Sequence, residues 1–308
     1  MNKKILFLMV ISTLILFSGC NAKYEKTKEK TAEGQITGTT GLSINFLNLP
    51  DKIFPKQTFN IPIKIENKGK ADVEEAILTI SGYDENHIKL SSNRITGISL
   101  KGADPFSKIG ESTIRNFNVI SSIPPEIDYK ANFVVTTCYK YKTEASPTIC
   151  INPKLFTQGV AMKGECKNID AVMSSQGAPL AVTKVESWFA SDASFWEFRI
   201  FVENKGKGRL RFEDSYLKDC YDVSLEENDI DKVKIQTYVG GKQIKCSNDG
   251  FQTTSDSFFL IEGKGEVRCR MDINSNQPAY TTPLTIILSY GYVDSISKQI
   301  PMIKRPQI

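Results

Sequence analysis

The chain has 308 residues, 40% of them apolar, and 39 Lys and Arg against 35 Asp and Glu give a formal net charge of +4. That basic excess is mild and dispersed, which argues against a nucleic-acid partner. His87 is the only histidine, so a Ser-His-Asp or Cys-His arrangement has a single candidate base, in the loop-like stretch "GYDENHIKL".

The first element is a targeting element. Basic "MNKK" precedes a mostly apolar run from Ile5 to Phe17, and "FSGC" follows at Phe17–Cys20. A positive start, an apolar stretch of this length and small residues before a cut describe an export signal. A spanning helix needs about 20 apolar residues, more than this run holds. Leu16-Phe17-Ser18-Gly19-Cys20 resembles the lipobox of bacterial and archaeal lipoproteins, in which small residues precede the lipidated cysteine. The resemblance implies a signal peptide over residues 1–19 and Cys20 as the lipidated first residue of the mature protein. It places the chain in the cell envelope, outside the cytoplasmic membrane, with the membrane as a partner through the N-terminal lipid. Residues 20–41 continue as "NAKYEKTKEKTAEGQITGTTG" after Cys20, too poor in large apolar groups to offset chain entropy. This segment reads as a flexible tether, and its alternating charges nearly cancel.

From Leu42 onward the signal is β. Phe59, Ile61, Ile63 and Ile65 alternate with polar residues and Pro62, the period of a half-buried strand. Pro62 has no N–H to donate, which predicts an edge strand. "NKGK" then predicts a turn whose glycine permits positive φ, followed by a strand through "VEEAILTISGY". Further strands are expected around "RITGISL", "STIRNFNVI" and "NFVVTTCYKY", and no window reads as a long amphipathic helix.

The pentapeptide "ENKGK" occurs at Glu66–Lys70 and again at Glu203–Lys207, 137 residues later (203 − 66). Trp196, Phe198, Ile200 and Val202 alternate before the second copy as the isoleucines do before the first. Asn67, Gly69, Asn204 and Gly206 are therefore expected to be structural turn residues. Tyr129, Tyr139 and Tyr141 recur as Tyr280, Tyr290 and Tyr292, each 151 residues on (280 − 129). The two offsets differ by 14 (151 − 137), so the second copy carries a net insertion, expected at "DCYDVSLEENDIDK".

Seven cysteines less Cys20 leave six free to pair in an oxidising compartment. Cys138 and Cys150 bracket "CYKYKTEASPTIC", which predicts a disulfide across a hairpin, worth about 3 kcal/mol by loop entropy. The other four allow three pairings, of which Cys246–Cys269 and Cys166–Cys220 are favoured.

Several short strands per repeat suggest a β-sandwich. The fold class expected is all-β, with two tandem immunoglobulin-like β-sandwich domains, one over 42–155 and one with an insertion over 156–308. Tyr129 and Tyr280 each follow a proline-containing stretch, where such domains place a tyrosine corner. The strand ending in Asn-x-Gly, at Asn67-Lys68-Gly69 and Asn204-Lys205-Gly206, resembles the CARDB-type immunoglobulin-like modules of bacterial and archaeal surface proteins. That resemblance implies an adhesive role and supplies no catalytic residues.

No phosphate-binding glycine loop, HExxH or nucleophile elbow occurs, so no enzyme activity and no cofactor are expected. Glu226-Glu227-Asn228-Asp229-Ile230-Asp231 concentrates oxygen ligands suited to calcium but lacks EF-hand spacing, and an acidic solvated loop is expected instead of a metal site. Trp188, Phe189, Phe195 and Trp196 form an aromatic cluster whose simpler reading is packing. The function expected is a non-catalytic adhesive, scaffolding or assembly role, with envelope or surface proteins as partners and no nucleic acid. The alternative is a ligand- or substrate-binding lipoprotein serving a transporter or envelope complex.

Overall fold

The computed structural model describes residues 36–122, 129–154, 165–190, 195–247, 256–273 and 277–303. The export signal, Cys20 and most of the tether lie outside them. The chain is all-β, and its residues Glu33–Ile308 form one compact unit.

In the first half the strands are β1 (Leu42–Phe46), β2 (Thr58–Asn67), β3 (Val73–Ser81), β4 (Ile88–Leu90), β5 (Arg94–Leu100), β6 (Ser112–Ser121), β7 (Tyr129–Ala145) and β8 (Thr148–Ile151). The second half holds β9 (Ala171–Val172), β10 (Leu180–Ala190), β11 (Phe195–Asn204), β12 (Arg209–Arg211), β13 (Lys232–Val239), β14 (Lys242–Ser247), β15 (Ser257–Phe259), β16 (Lys264–Asp272) and β17 (Tyr280–Met302).

Alternation in sequence becomes alternation in burial. Ile61, Ile63 and Ile65 of β2 and Phe117 and Val119 of β6 fill the interior, while Lys64 and Asn116 face outward. One sheet runs β1-β2-β6-β4. Against it packs a second sheet, β5-β3-β7, which continues through β17 to β13. β13 and β14 form a hairpin over Gly240 and Gly241, both with positive φ (56° and 83°), as a tight two-residue turn requires. β14 then leaves that sheet to pair with β16, so one strand turns the corner between the layers. The upper layer of the second half is β14-β16-β11-β10-β9.

β1-β2-β6-β4 and β10-β11-β16-β14 have the order that immunoglobulin-type sandwiches give to strands A, B, E and D. β3 and β7 take places C and F of the first half. The place of strand G, beside F, is taken by β17, which is place F of the second half. Each half thus completes the other's sheet, and the two sandwiches share one continuous layer.

The seam is an antiparallel ladder from Tyr129↔Met302 to Ala145↔Ile286. After Ser146 and Pro147 it resumes in the same register with Thr148↔Pro283 and ends at Ile151↔Tyr280. This geometry corrects two of the expected disulfides. Cys138 and Cys150 lie 12 residues apart along one extended line, about 40 Å at strand rise, and do not face each other across a hairpin. Cys138 instead bonds Cys220, Cys150 bonds Cys166, and Cys246 bonds Cys269, its direct cross-strand neighbour.

Pro62 also sits differently from the edge expected of it. β2 is an interior strand, paired on both sides. The carbonyl of Pro62 accepts from Leu47 N at 2.9 Å, so its missing N–H points to the side where β1 has already ended at Phe46. The missing donor falls on the side where β1 ends and not on the side paired with β6.

Candidate functional site

The repeated pentapeptides, the paired tyrosines and the insertion all converge on the seam. Asn67 closes β2, and its side-chain amide donates to the carbonyls of Ala71 (2.8 Å) and Leu100 (3.1 Å). Its Oδ1 accepts from Gly69 N (3.1 Å) and from the hydroxyl of Tyr141 (3.3 Å). The second copy repeats three of these four bonds. Asn204 donates to the carbonyl of Gly208 (3.1 Å) and accepts from Gly206 N (3.1 Å) and the Tyr292 hydroxyl (3.3 Å). The strand alongside matches too, since Leu42 faces Asn67 as Leu180 faces Asn204.

The two glycines are needed for a reason other than the one their turn suggested. Neither Gly69 nor Gly206 has positive φ. A Cβ at Gly69 would overlap the Tyr141 hydroxyl, and one at Gly206 would overlap that of Tyr292. Close approach of the tyrosine sets the residue type.

Tyr139, Tyr141, Tyr290 and Tyr292 form a closed ring of buried aromatic side chains. Their centroids are separated by 5.7 Å (139–141), 5.9 Å (139–292), 6.3 Å (141–290) and 6.3 Å (290–292). Tyr139 accepts from Leu42 N at 3.0 Å and Tyr290 from Leu180 N at 3.3 Å, again equivalent positions. Burial holds the hydroxyls of Tyr139, Tyr141 and Tyr290 well above the ordinary phenol range and pushes Tyr292 up to about 12. These hydroxyls stay neutral at physiological pH and serve as hydrogen-bonding staples. The tyrosine-corner expectation resolves differently: Tyr129 accepts from Asp84 N (2.9 Å), in the loop between β3 and β4.

On the opposite face of the seam lies the insertion, Phe212 to Asp231, between β12 and β13. Arg211 holds Asp219 through Nε (2.6 Å) and Nη2 (3.0 Å), and Lys218 holds Asp229 at 2.6 Å. Asp229 also accepts from Ser215 and from Glu226 N (2.7 Å). The Lys218 ammonium first, then these donors, lower its carboxyl to about 2. Asp229 is thus spent on holding the loop together, and the described residues contain no group of three or more His, Cys, Asp or Glu suited to a metal. Cys220 carries the loop across to the first half through Cys138, where Arg94 donates to the Cys220 carbonyl (3.0 Å) and stacks on Tyr221 (4.1 Å).

A cleft of about 700 Å³ opens beside the seam. Five carboxylates line it, Glu74, Glu144 and Glu213 among them, against the three lysines Lys70, Lys140 and Lys142. His87 lies elsewhere, 3.8 Å from Asp84 and edge-on to Tyr129. In the aromatic cluster Trp196 and Phe189 are buried, while Trp188 and Phe195 are capped by Arg199 (5.3 Å) and Arg270 (4.1 Å). Phe106 and Ile109, at a loop tip between β5 and β6, are an exposed apolar pair; "DPFSKI" marks them in sequence only as a turn.

No protein-family model matches the chain, and no curated protein matches it. Among solved structures it is similar at 14% identity to AvmM, which catalyses macrocyclization in alchivemycin A biosynthesis, over 35% of this chain and 78% of that one, with a TM-score of 0.18. The CupB6 tip adhesin from Pseudomonas aeruginosa is 8% identical over 85% and 98% of the two chains, with a TM-score of 0.19. The major capsid protein P2 from bacteriophage PM2 is 6% identical over 82% and 98%, with a TM-score of 0.14. At such TM-scores neither fold nor function passes from these proteins to this chain.

Proposed function

We propose that this is a lipid-anchored protein of the cell envelope with a non-catalytic adhesive, scaffolding or assembly role. The observation that supports it best is a remainder. Six of the seven cysteines bond one another, so the lipobox residue Cys20 is left over. Three disulfides fit an oxidising compartment outside the cytoplasm. A shared sheet and a disulfide across the seam give a rigid double sandwich of the kind suited to holding or spacing other proteins. Intact-mass measurement of membrane-extracted protein tests the anchor. The expected result is a chain beginning at an acylated Cys20 with no other free thiol; a chain beginning upstream of Cys20 without lipid would sink the reading.

The seam cleft favours the second reading, ligand binding for a transporter or envelope complex. Crosslinking on intact cells separates the two. Stable neighbours that persist when Glu74, Glu144 and Glu213 are replaced by Gln support assembly through the outer faces, whereas loss of partners points to the cleft.

A further inference from the structure

The loop from Lys101 to Gly110 projects Phe106 (97% exposed) and Ile109 (71% exposed) into solvent from a built support. Asp104 accepts from Phe106 N (2.7 Å) and Ser107 N (2.8 Å), and its carbonyl accepts from Lys108 N (2.9 Å). At the base, Ala103 N donates to the Gly69 carbonyl (2.8 Å), Gly102 N to Asp72 (2.8 Å) and Lys101 N to Glu111 (2.9 Å). The three nearby carboxylates are therefore turned onto backbone N–H groups. Lys68, Lys70, Lys101 and Lys108 are exposed and make no ion pair among the described residues.

The same turn receives the incoming chain. Lys68 N donates to the Gly41 carbonyl (2.8 Å), and the Thr40 carbonyl lies against Gly69. Only 16 residues separate Ile36 from Cys20 (36 − 20), at most about 55 Å of chain.

We infer that this loop is a membrane-contacting finger, with Phe106 and Ile109 entering the interface of an anionic bilayer and Lys101 and Lys108 of the same loop meeting its headgroups. The inference rests on the lipid-anchored reading, which supplies the bilayer. A protruding aromatic and aliphatic pair on a loop that also carries exposed lysines is suited to a lipid interface. Short tethering supplies the high local concentration that so small a contact needs.

The test uses the chain from Cys20 with its three disulfides closed, so that Cys20 is the one thiol. It is coupled to maleimide-headgroup lipid in vesicles of 30% phosphatidylglycerol in phosphatidylcholine, which makes the test independent of natural lipidation. With Phe106→Trp, the fluorescence added to the parent chain is expected to shift to shorter wavelength on coupling and to be quenched by lipids brominated on the acyl chain. Lys101→Gln and Lys108→Gln should each lower the inserted fraction about fivefold, and Ile109→Asp should abolish insertion while leaving the thermal midpoint unchanged. Emission from Trp at position 106 that is the same coupled and uncoupled overturns the inference, as does insertion unaffected by Ile109→Asp. A failed intact-mass result with positive insertion would strike the anchor reading alone.

Discussion

Lys140 and Gly291 face each other at the centre of the β7–β17 ladder, and they are the same position of the repeat, 151 residues apart (291 − 140). A pairing centred on equivalent residues is the intramolecular form of an isologous two-fold contact. Tyr141 opposite Tyr290 and Tyr139 opposite Tyr292 follow from that centre. Two lysines facing each other there would repel. With glycine on one side the backbone is open, and Tyr216 of the insertion packs directly on it, while the Lys140 ammonium sits 5.4 Å from the Tyr216 ring. This break in symmetry is where the insertion docks.

A first half cut away from the second should therefore seek another copy of itself. Residues 36–154 with Cys138→Ala and Cys150→Ala expose the whole β7 edge that β17 covers. The fragment is expected to dimerise through β7 about Lys140 and to dimerise more tightly with Lys140→Gly. Sedimentation velocity reads this directly, and a stably folded monomer indifferent to Lys140→Gly would refute the two-fold account.

Gly206→Ala should destabilise the chain by about 2 kcal/mol, because the added methyl overlaps the Tyr292 hydroxyl and a packed core resists overfilling. Tyr292→Phe removes the clashing oxygen and should recover part of that loss in the double variant. Strictly additive effects in urea melts would show that the glycine answers to some other constraint. Gly69 is a poorer test, since the Gly177 carbonyl would lie 2.5 Å from its Cβ as well.

Removing the Cys138–Cys220 bond should cost about 4 kcal/mol, against about 3 kcal/mol for Cys150–Cys166, since the closed loops span 82 and 16 residues. Peptide mapping without reduction should recover these pairs. Recovery of a Cys138–Cys150 peptide would overturn the seam register itself.

Much of this architecture was legible in the residues, and what was not has a definite cause. Isoleucines 61, 63 and 65 and the run from Trp196 to Val202 announce their strands because burial alternates with period two. The spacings of "ENKGK" and of the tyrosines reveal a structural repeat, since both copies keep the same Asn–Gly–Tyr contacts. The seam was hidden because an edge that pairs with a distant strand looks like any other alternating strand. The same blindness misdirected Cys138: its partner sits on an insertion of the other half, and nothing local in "CYKYKTEASPTIC" distinguishes a hairpin from two collinear strands. Gly69 and Gly206 could be recognised as fixed but not why, because the constraint is a tyrosine 72 or 86 residues away (141 − 69, 292 − 206).

Acid and alkali should loosen different faces of the seam. Asp229 has a folded pKa of about 2, below its ordinary value near 3.8, so its contribution to stability is present above the unfolded value and is lost as pH falls through about 2. The ring tyrosines act in the opposite sense. Their folded values are raised, so the neutral form is favoured, and stability is constant below the ordinary phenol value of 10 and falls as pH rises above it, where the unfolded chain ionises first. Absorbance at the phenolate band should show the buried four ionising only above the ordinary phenol value, together with the loss of near-ultraviolet circular dichroism. Tyr292→Phe should weaken the alkaline dependence and leave the acid limb alone, whereas Asp229→Asn should do the reverse. Ring tyrosines that titrate at 10 while the fold persists would mean that the seam is wet and the staple account is wrong.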